Sequence, residues 1–282
     1  MILCHTVKEL AQAVSQAKAE GNSIGFIPTM GALHEGHLSL VRAAQANQNF
    51  TIVSVFVNPL QFGEKDDFNS YPRTLGVDAR LLTDAGVDVL FAPNLAEVFP
   101  ADLDLAEPVP GSIAEKFEGE FRPGHFAGML KVVSRLFDLV APDYAYFGEK
   151  DAQQLALVKQ MVSEQITAGR REPMRVVSCP TIRDEHGLAL SSRNSRLSEA
   201  EILISRSLQQ ALLAGASAGK KREQILSAAK AQLSAEARLE YLELVDPQSF
   251  EVVEQLPAGG GLLIIAAWVG DVRLIDNLLI GG

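Results

Sequence analysis

The chain has 282 residues, 47% of them hydrophobic, and its 35 acidic against 25 basic residues leave a formal charge of −10. This is enough for about two domains with a sizeable core, and the acidic balance argues against a nucleic-acid surface, which needs a basic stripe to meet phosphate. No apolar run reaches the ~18 residues of a membrane span, no secretory leader pattern opens the chain, and Cys4 and Cys179 offer neither a CxxC nor a disulfide framework, so a soluble cytoplasmic protein with two plain thiols is expected.

Thr6-x-x-Glu9 reads as a capping box opening a helix that Gly21 closes. A strand over 24–27 then meets Pro28, the chain turns at Gly31 and Gly36, and Leu38, Val41 and Ala44 recur at helical spacing. In such a strand-turn-helix unit the helix N-terminus presents unpaired backbone N–H groups and a favourable dipole, which makes the turn a candidate phosphate site. It is not a Walker loop, because His37 and Leu38 stand where Lys and Ser or Thr are required. His34 and His37, three apart, can lie on one side of the helix start and donate to phosphate oxygens. Taken alone, the pair also admits a helix cap beside a space-filling ring, or a zinc site that still lacks a third ligand.

Further along, a β-branched and aromatic run over 50–57 reads as a strand buried on both faces, ending at Asn58-Pro59-Leu60-Gln61. A helix over 75–85 stops at Gly86, a strand covers 87–92, and Ser112-x-x-Glu115 looks like another helix start. Arg122-Pro123-Gly124-His125 leads into an apolar helix, followed by a strand over 144–147, a helix through Leu155 to Ile166 and a strand over 174–179. Five alternations of strand and helix predict an α/β domain with a Rossmann-like, doubly wound parallel sheet over 1–178, whose ligands bind beyond the carboxyl ends of the strands. The pattern then changes. A hairpin over 181–190 turns at Gly187, helices cover 198–214 and 221–234, and strands cover 239–245, 262–269 and 272–275, which predicts a smaller α+β domain over 179–282.

Two later segments carry chemistry-bearing side chains. Gly148-Glu149-Lys150-Asp151 follows the strand over 144–147, and a lysine at a helix start opposes the dipole unless an anion neutralises it; a solvated lysine between two carboxylates is the plainer alternative. Leu190-Ser191-Ser192-Arg193-Asn194 puts two hydroxyls and a guanidinium on a bend, a set suited to phosphate oxygens, although by itself it is also an ordinary loop. Gln61 and Gln154 have amides suited to the carboxylate and hydroxyls of a hydroxy acid, although a lone glutamine in a loop usually has no such role.

Pro28-Thr29-Met30-Gly31-Ala32-Leu33-His34-Glu35-Gly36-His37 resembles the HxGH signature of the nucleotidylyltransferase superfamily, in the form found in the pantothenate synthetase (pantoate–β-alanine ligase) family. The likeness spans nearly the whole chain. It implies ATP binding by Met30, Gly31, Ala32, Leu33, His34, Glu35, Gly36 and His37, by Gly148, Glu149, Lys150 and Asp151, by the backbone at Ile182, and by Leu190, Ser191, Ser192 and Arg193. His37, His34 and Lys150 are the implied catalytic residues, Gln61 and Gln154 would hold pantoate, and Gln61 would also lie near β-alanine. Magnesium would enter on the ATP phosphates without a protein metal site, the smaller domain would act as a lid, and the protein would be a homodimer with no membrane or nucleic-acid partner. Asn58, Tyr71, Arg122 and His125 are expected to order loops around these groups, and 273–277 to stabilise the fold. A transferase that keeps the nucleotide in its product, or a nucleotide-binding module without chemistry, are the alternatives left by the residues themselves.

Overall fold

The β-branched run at 50–57 and the apolar runs around it pair in one parallel sheet. In the computed structural model, which describes residues 1–62, 68, 71–103 and 107–281, its strands are β1 (Ile2–Cys4), β2 (Ile24–Thr29), β3 (Phe50–Val55), β4 (Val89–Phe91), β5 (Tyr144–Gly148) and β6 (Arg175–Cys179). Their order is β1-β4-β3-β2-β5-β6, every neighbouring pair parallel. Between them come α1 (Val7–Ala19), α2 (Glu35–Ala46), α3 (Leu75–Asp84), the short α4 (Leu95–Val98) and α5 (Glu118–Phe121), α6 (His125–Val140) and α7 (Ala152–Thr167).

Alternation along the strands explains why helices cover both faces. Ile27, Val53, Leu90 and Tyr146 join Leu40, Val41 and Ala44 of α2 and Leu82 of α3 in one core cluster. On the opposite face Phe26 and Phe147 both meet the ring of Phe137 on α6 edge-on, at centroid distances of 6.2 and 6.3 Å. This is the doubly wound sheet that the alternation of apolar segments predicts. Crossovers leave β2 on both sides of the sheet, so the switch point lies between β2 and β5, whose carboxyl ends carry Met30 to His37 and Gly148-Glu149.

Several boundaries differ from the sequence expectation. β1 is too short for periodicity to reveal and hydrogen-bonds only at the sheet edge, to β4. Ser112 does not cap a helix: Ser112–Glu115 is a single 3-10 turn after Gly111 at φ 68°, with no side-chain cap bond. The Thr6–Glu9 capping box opens α1 as expected.

The described residues divide into two units, Met1–Glu149 with Leu157–Cys179, and Lys150–Ala156 with Pro180–Gly282. The second unit contains α8 (Glu199–Ala216), α9 (Arg222–Gln232) and an antiparallel sheet β7-β8-β9 (Arg238–Val245, Gly261–Val269, Val272–Ile280). Leu208, Ala211 and Leu212 of α8 and Ile225 and Ala229 of α9 pack on Leu263, Ile265, Ala267 and Val269 of β8. β9 runs five residues past the predicted end, its polar Asp276 and Asn277 serving purposes other than core packing. The hairpin at 181–190 pairs antiparallel at Arg183 and Ala189, the Asp184 N–H donating to the Leu188 carbonyl and the Leu190 N–H to the Ile182 carbonyl, while the Asp184 side chain takes the N–H groups of His186 and Leu188 in the turn.

Both cysteines are buried, and burial pushes the Cys179 thiol up to about 11 and raises that of Cys4. A thiol-specific disulfide reagent at pH 8 should therefore titrate neither cysteine in the native protein and both after denaturation. Prompt reaction of the native chain would contradict the burial.

Candidate active site

The loop after β2 is held by side chains rather than by its own backbone. Thr29 Oγ1 donates to the Ser54 carbonyl at 2.7 Å and accepts the Gly31 N–H at 3.2 Å. Gly31 (φ 82°) and Ala32 (φ 49°) then take left-handed conformations, the second of which disfavours a side chain. Asp78 on α3, only 1% exposed, accepts the N–H of Ala32 at 3.1 Å and of Leu33 at 2.9 Å, and the Thr74 hydroxyl donates to it at 3.2 Å. Nothing in the sequence singled out Asp78. An acidic residue in the first turn of a helix is common for dipole reasons alone, and its loop partners lie more than forty residues earlier.

His34 is the N-cap of α2, extended at φ −140° and ψ 177°. Its Nδ1 accepts the Gly36 N–H at 3.1 Å, and Nδ1 of His37 accepts the His34 N–H at 3.3 Å, a reciprocal box in which both side chains are imidazoles. An Nδ1 that accepts a backbone N–H carries no hydrogen, so in the neutral ring the hydrogen sits on Nε2. The ring centroids are 4.2 Å apart at 46°. Capping and donation, alternatives when only the spacing is known, are thus compatible in one geometry.

The backbone contributes less than the sequence suggests. The N–H groups of Gly31, Ala32, Leu33, His34, Gly36 and His37 all have acceptors within the chain. The expected cradle of unpaired amides is therefore mostly spent, and the imidazole Nε2–H groups and the helix dipole are what this loop offers an anion. Glu35 pairs with Arg42 on the exposed side of α2.

Gln61 ends the 3-10 turn Pro59–Gln61 and is buried. Asn58 orients it: Nδ2 donates to Gln61 Oε1 and to the Gly128 carbonyl, each at 3.1 Å, while Gln61 Nε2 donates to Met30 Sδ at 3.0 Å. Arg122 Nη1 and His125 Nε2 are 3.1 Å apart, and since a guanidinium can only donate, His125 accepts there and carries its hydrogen on Nδ1, which donates to the Gln61 carbonyl at 2.8 Å. Asn58, Arg122 and His125 are thus gathered around Gln61, as loop-ordering residues should be. Tyr71 lies against Phe62, ring centroids 5.7 Å apart.

In the second unit, Lys150 lies in the 3-10 turn Glu149–Asp151 with its side chain 18% exposed and Nζ 3.7 Å from Asp151 Oδ1. Asn277 Nδ2 donates to the Lys150 carbonyl at 2.8 Å. The preceding residue, Asp276, takes a two-pronged ion pair from Arg183 at 2.6 and 2.9 Å, and the Leu190 N–H donates to the Ile182 carbonyl at 2.9 Å. Consecutive residues of β9 thereby tie down the lysine turn and the segment bearing Ile182 and Leu190. Ser191 Oγ accepts the Arg193 N–H at 3.3 Å at the head of the 3-10 turn Ser192–Arg196. Gln154 is half-buried in the first turn of α7.

The model of the family described as pantoate-beta-alanine ligase matches residues 2–279. Pantothenate synthetase of Thermobifida fusca (strain YX) is 44% identical over 284 residues, covering 96% of this chain and 94% of its own length. That of Brucella canis is 44% identical over 288 residues, covering 100% and 96%. Among solved structures, pantothenate synthetase from Thermus thermophilus superimposes with a TM-score of 0.92 at 43% identity over all of both chains. Pantoate-β-alanine ligase from Francisella tularensis, complexed with beta-gamma ATP and β-alanine, gives 0.79 at 36% identity, covering 99% of this chain and 97% of its own.

Proposed function

The chain belongs to the pantoate–β-alanine ligase family, and from that membership we propose the following division of labour among its residues. The reaction is an ATP-dependent condensation that forms a carbon–nitrogen bond between pantoate and β-alanine in pantothenate biosynthesis. A pantoate carboxylate oxygen attacks the α-phosphorus of ATP, the bond to the bridging oxygen breaks, and pyrophosphate leaves. The β-alanine amine then attacks the acyl carbon of the adenylate, and AMP leaves with the bonding pair as the amine loses a proton.

Neither step needs a covalent protein intermediate, so the residues position substrates and stabilise charge. The observation that carries the assignment is the imidazole pair, in which Nδ1 of each ring is taken by the backbone and the hydrogen of each is on Nε2. His34 and His37 donate to the phosphate undergoing attack, and Met30 to His37 line the nucleotide's path. Gly148 and Asp151 hold the ribose with Glu149 beside them at the nucleotide, the backbone at Ile182 meets adenine, and Lys150, Leu190, Ser191, Ser192 and Arg193 serve the triphosphate. Gln61 and Gln154 hold pantoate, and Gln61 also meets β-alanine.

Magnesium would enter with ATP and would neutralise charge on its phosphates. The donor groups of the HxGH loop suit oxyanions rather than a cation, which supports metal entry with the nucleotide. The smaller domain acts as a lid that keeps water from the mixed anhydride, and the protein works as a cytoplasmic homodimer.

The direct test is exchange of labelled pyrophosphate into ATP with magnesium and pantoate present and β-alanine left out. Exchange should depend strictly on pantoate. Exchange driven by a different acid would keep the adenylation chemistry and replace the substrate, and a failure of every acid to support exchange would remove the reading.

A further inference from the structure

We propose that Asp78 is a positioning residue of the adenylation step, setting where the two imidazoles stand by gripping the loop that leads to them. The inference rests on the assignment of His34 and His37 above. Its own basis is the carboxylate's place. Asp78 is buried to 1% exposure, and its two oxygens take the N–H groups of consecutive residues, Ala32 and Leu33, with a third donor from Thr74. A Cβ on Gly31 would come within 3.1 Å of Asp78 Oδ2 and 3.0 Å of Val55 Cγ1, so the loop is pressed against the carboxylate with no slack.

The geometry has a direct consequence for the rings. Leu33 immediately precedes the N-cap, and the cap residue's own N–H is the donor to His37 Nδ1. A rotation of the 32–33 peptides alters the direction of the His34 N–H and with it the seat of both imidazoles. The only carboxylate on the loop itself, Glu35, is occupied with Arg42 on the exposed side of the helix. Asp78 therefore fixes the loop from outside it, through a helix that sequence order places after β3. A donor aimed at a developing charge loses much of its effect when displaced by a fraction of an ångström, and this is the quantity Asp78 controls.

Asparagine at this position keeps the size but presents an amide donor to one of the two N–H groups, so one bond is lost and a donor faces a donor. The experiment is a rapid-quench measurement of the first turnover, with saturating ATP, magnesium and pantoate and no β-alanine, on Asp78→Asn, Thr74→Val and His37→Ala beside the wild type. The burst amplitude counts competent protein, and the rate constant reports the step. Asp78→Asn should retain its amplitude while its rate constant falls about tenfold, and Thr74→Val should slow a few-fold in the same way.

A reduced amplitude with an unchanged rate constant would make Asp78 merely structural and overturn the proposal. If Asp78→Asn does not fold, Thr74→Val decides: a slower burst supports the proposal and an unchanged one overturns it. Slow turnover by His37→Ala with normal rate constants for the other two defeats only the role of Asp78. A normal rate in His37→Ala defeats the assignment beneath it.

Discussion

Replacing His37 by alanine should slow pantoate-dependent pyrophosphate exchange by about 10²-fold or more, the size of losing one donor aimed at a developing oxyanion. The same change removes the acceptor for the His34 N–H, a bond of 3.3 Å that helps to start α2. Loss of a helix cap costs about 1 kcal/mol, which lowers the melting temperature by roughly 2–4 °C in a chain of this size. The kinetic effect is therefore larger than the stability effect and separable from it. Glutamine at position 37 makes the separation explicit, because Gln at this place in a capping box reaches back to the cap N–H. His37→Gln should regain most of the lost stability and little of the lost rate. Exchange rates within a few-fold of wild type in His37→Ala, or a rate that follows stability through both variants, would remove the imidazole from the chemistry.

Sequence reasoning reached the sheet and the HxGH turn for the same reason: both are written in short-range order. Apolar runs bounded by Gly and Pro give the strands, and His34 and His37 are neighbours on any helix start. What escaped it is long-range. β1 has three residues and acquires its meaning only from β4. Asp78 meets Ala32 and Leu33 through the crossing of α3 over the sheet, and Asn277 reaches the Lys150 carbonyl from the far end of the chain. The expectation of free amides at the helix start also misled, since capping and loop bonds that occupy those amides depend on side chains from elsewhere. Periodicity encodes which face a residue takes, and not which distant partner will meet it there.

Gly128 shows how such a long-range constraint can outweigh local propensity, and its replacement by alanine should be the most damaging single-methyl change near Gln61. By propensity alone the substitution helps: alanine is favoured over glycine within a helix by about 1 kcal/mol. The fold opposes it. A Cβ at Gly128 would stand 2.1 Å from the Leu60 carbonyl oxygen, 2.4 Å from its carbon and 2.8 Å from the Gln61 nitrogen, all backbone atoms that no rotamer change can move aside. The Gly128 carbonyl also accepts from Asn58 Nδ2, the group that fixes Gln61 Oε1. Separating α6 from the 59–61 turn therefore costs packing and the alignment of Gln61 together. Overpacking of this kind costs typically 1–3 kcal/mol and more against rigid backbone, so the net change should be a loss of about 2 kcal/mol. It should appear as a lower melting temperature and, in the protein that remains folded, as a pantoate KM raised at least tenfold with the ATP KM little changed, because the displaced turn carries Gln61 and not the HxGH loop. A melting temperature at or above that of the wild type would show that propensity wins, and a change in the ATP KM equal to that for pantoate would show that Gln61 does not read the acid.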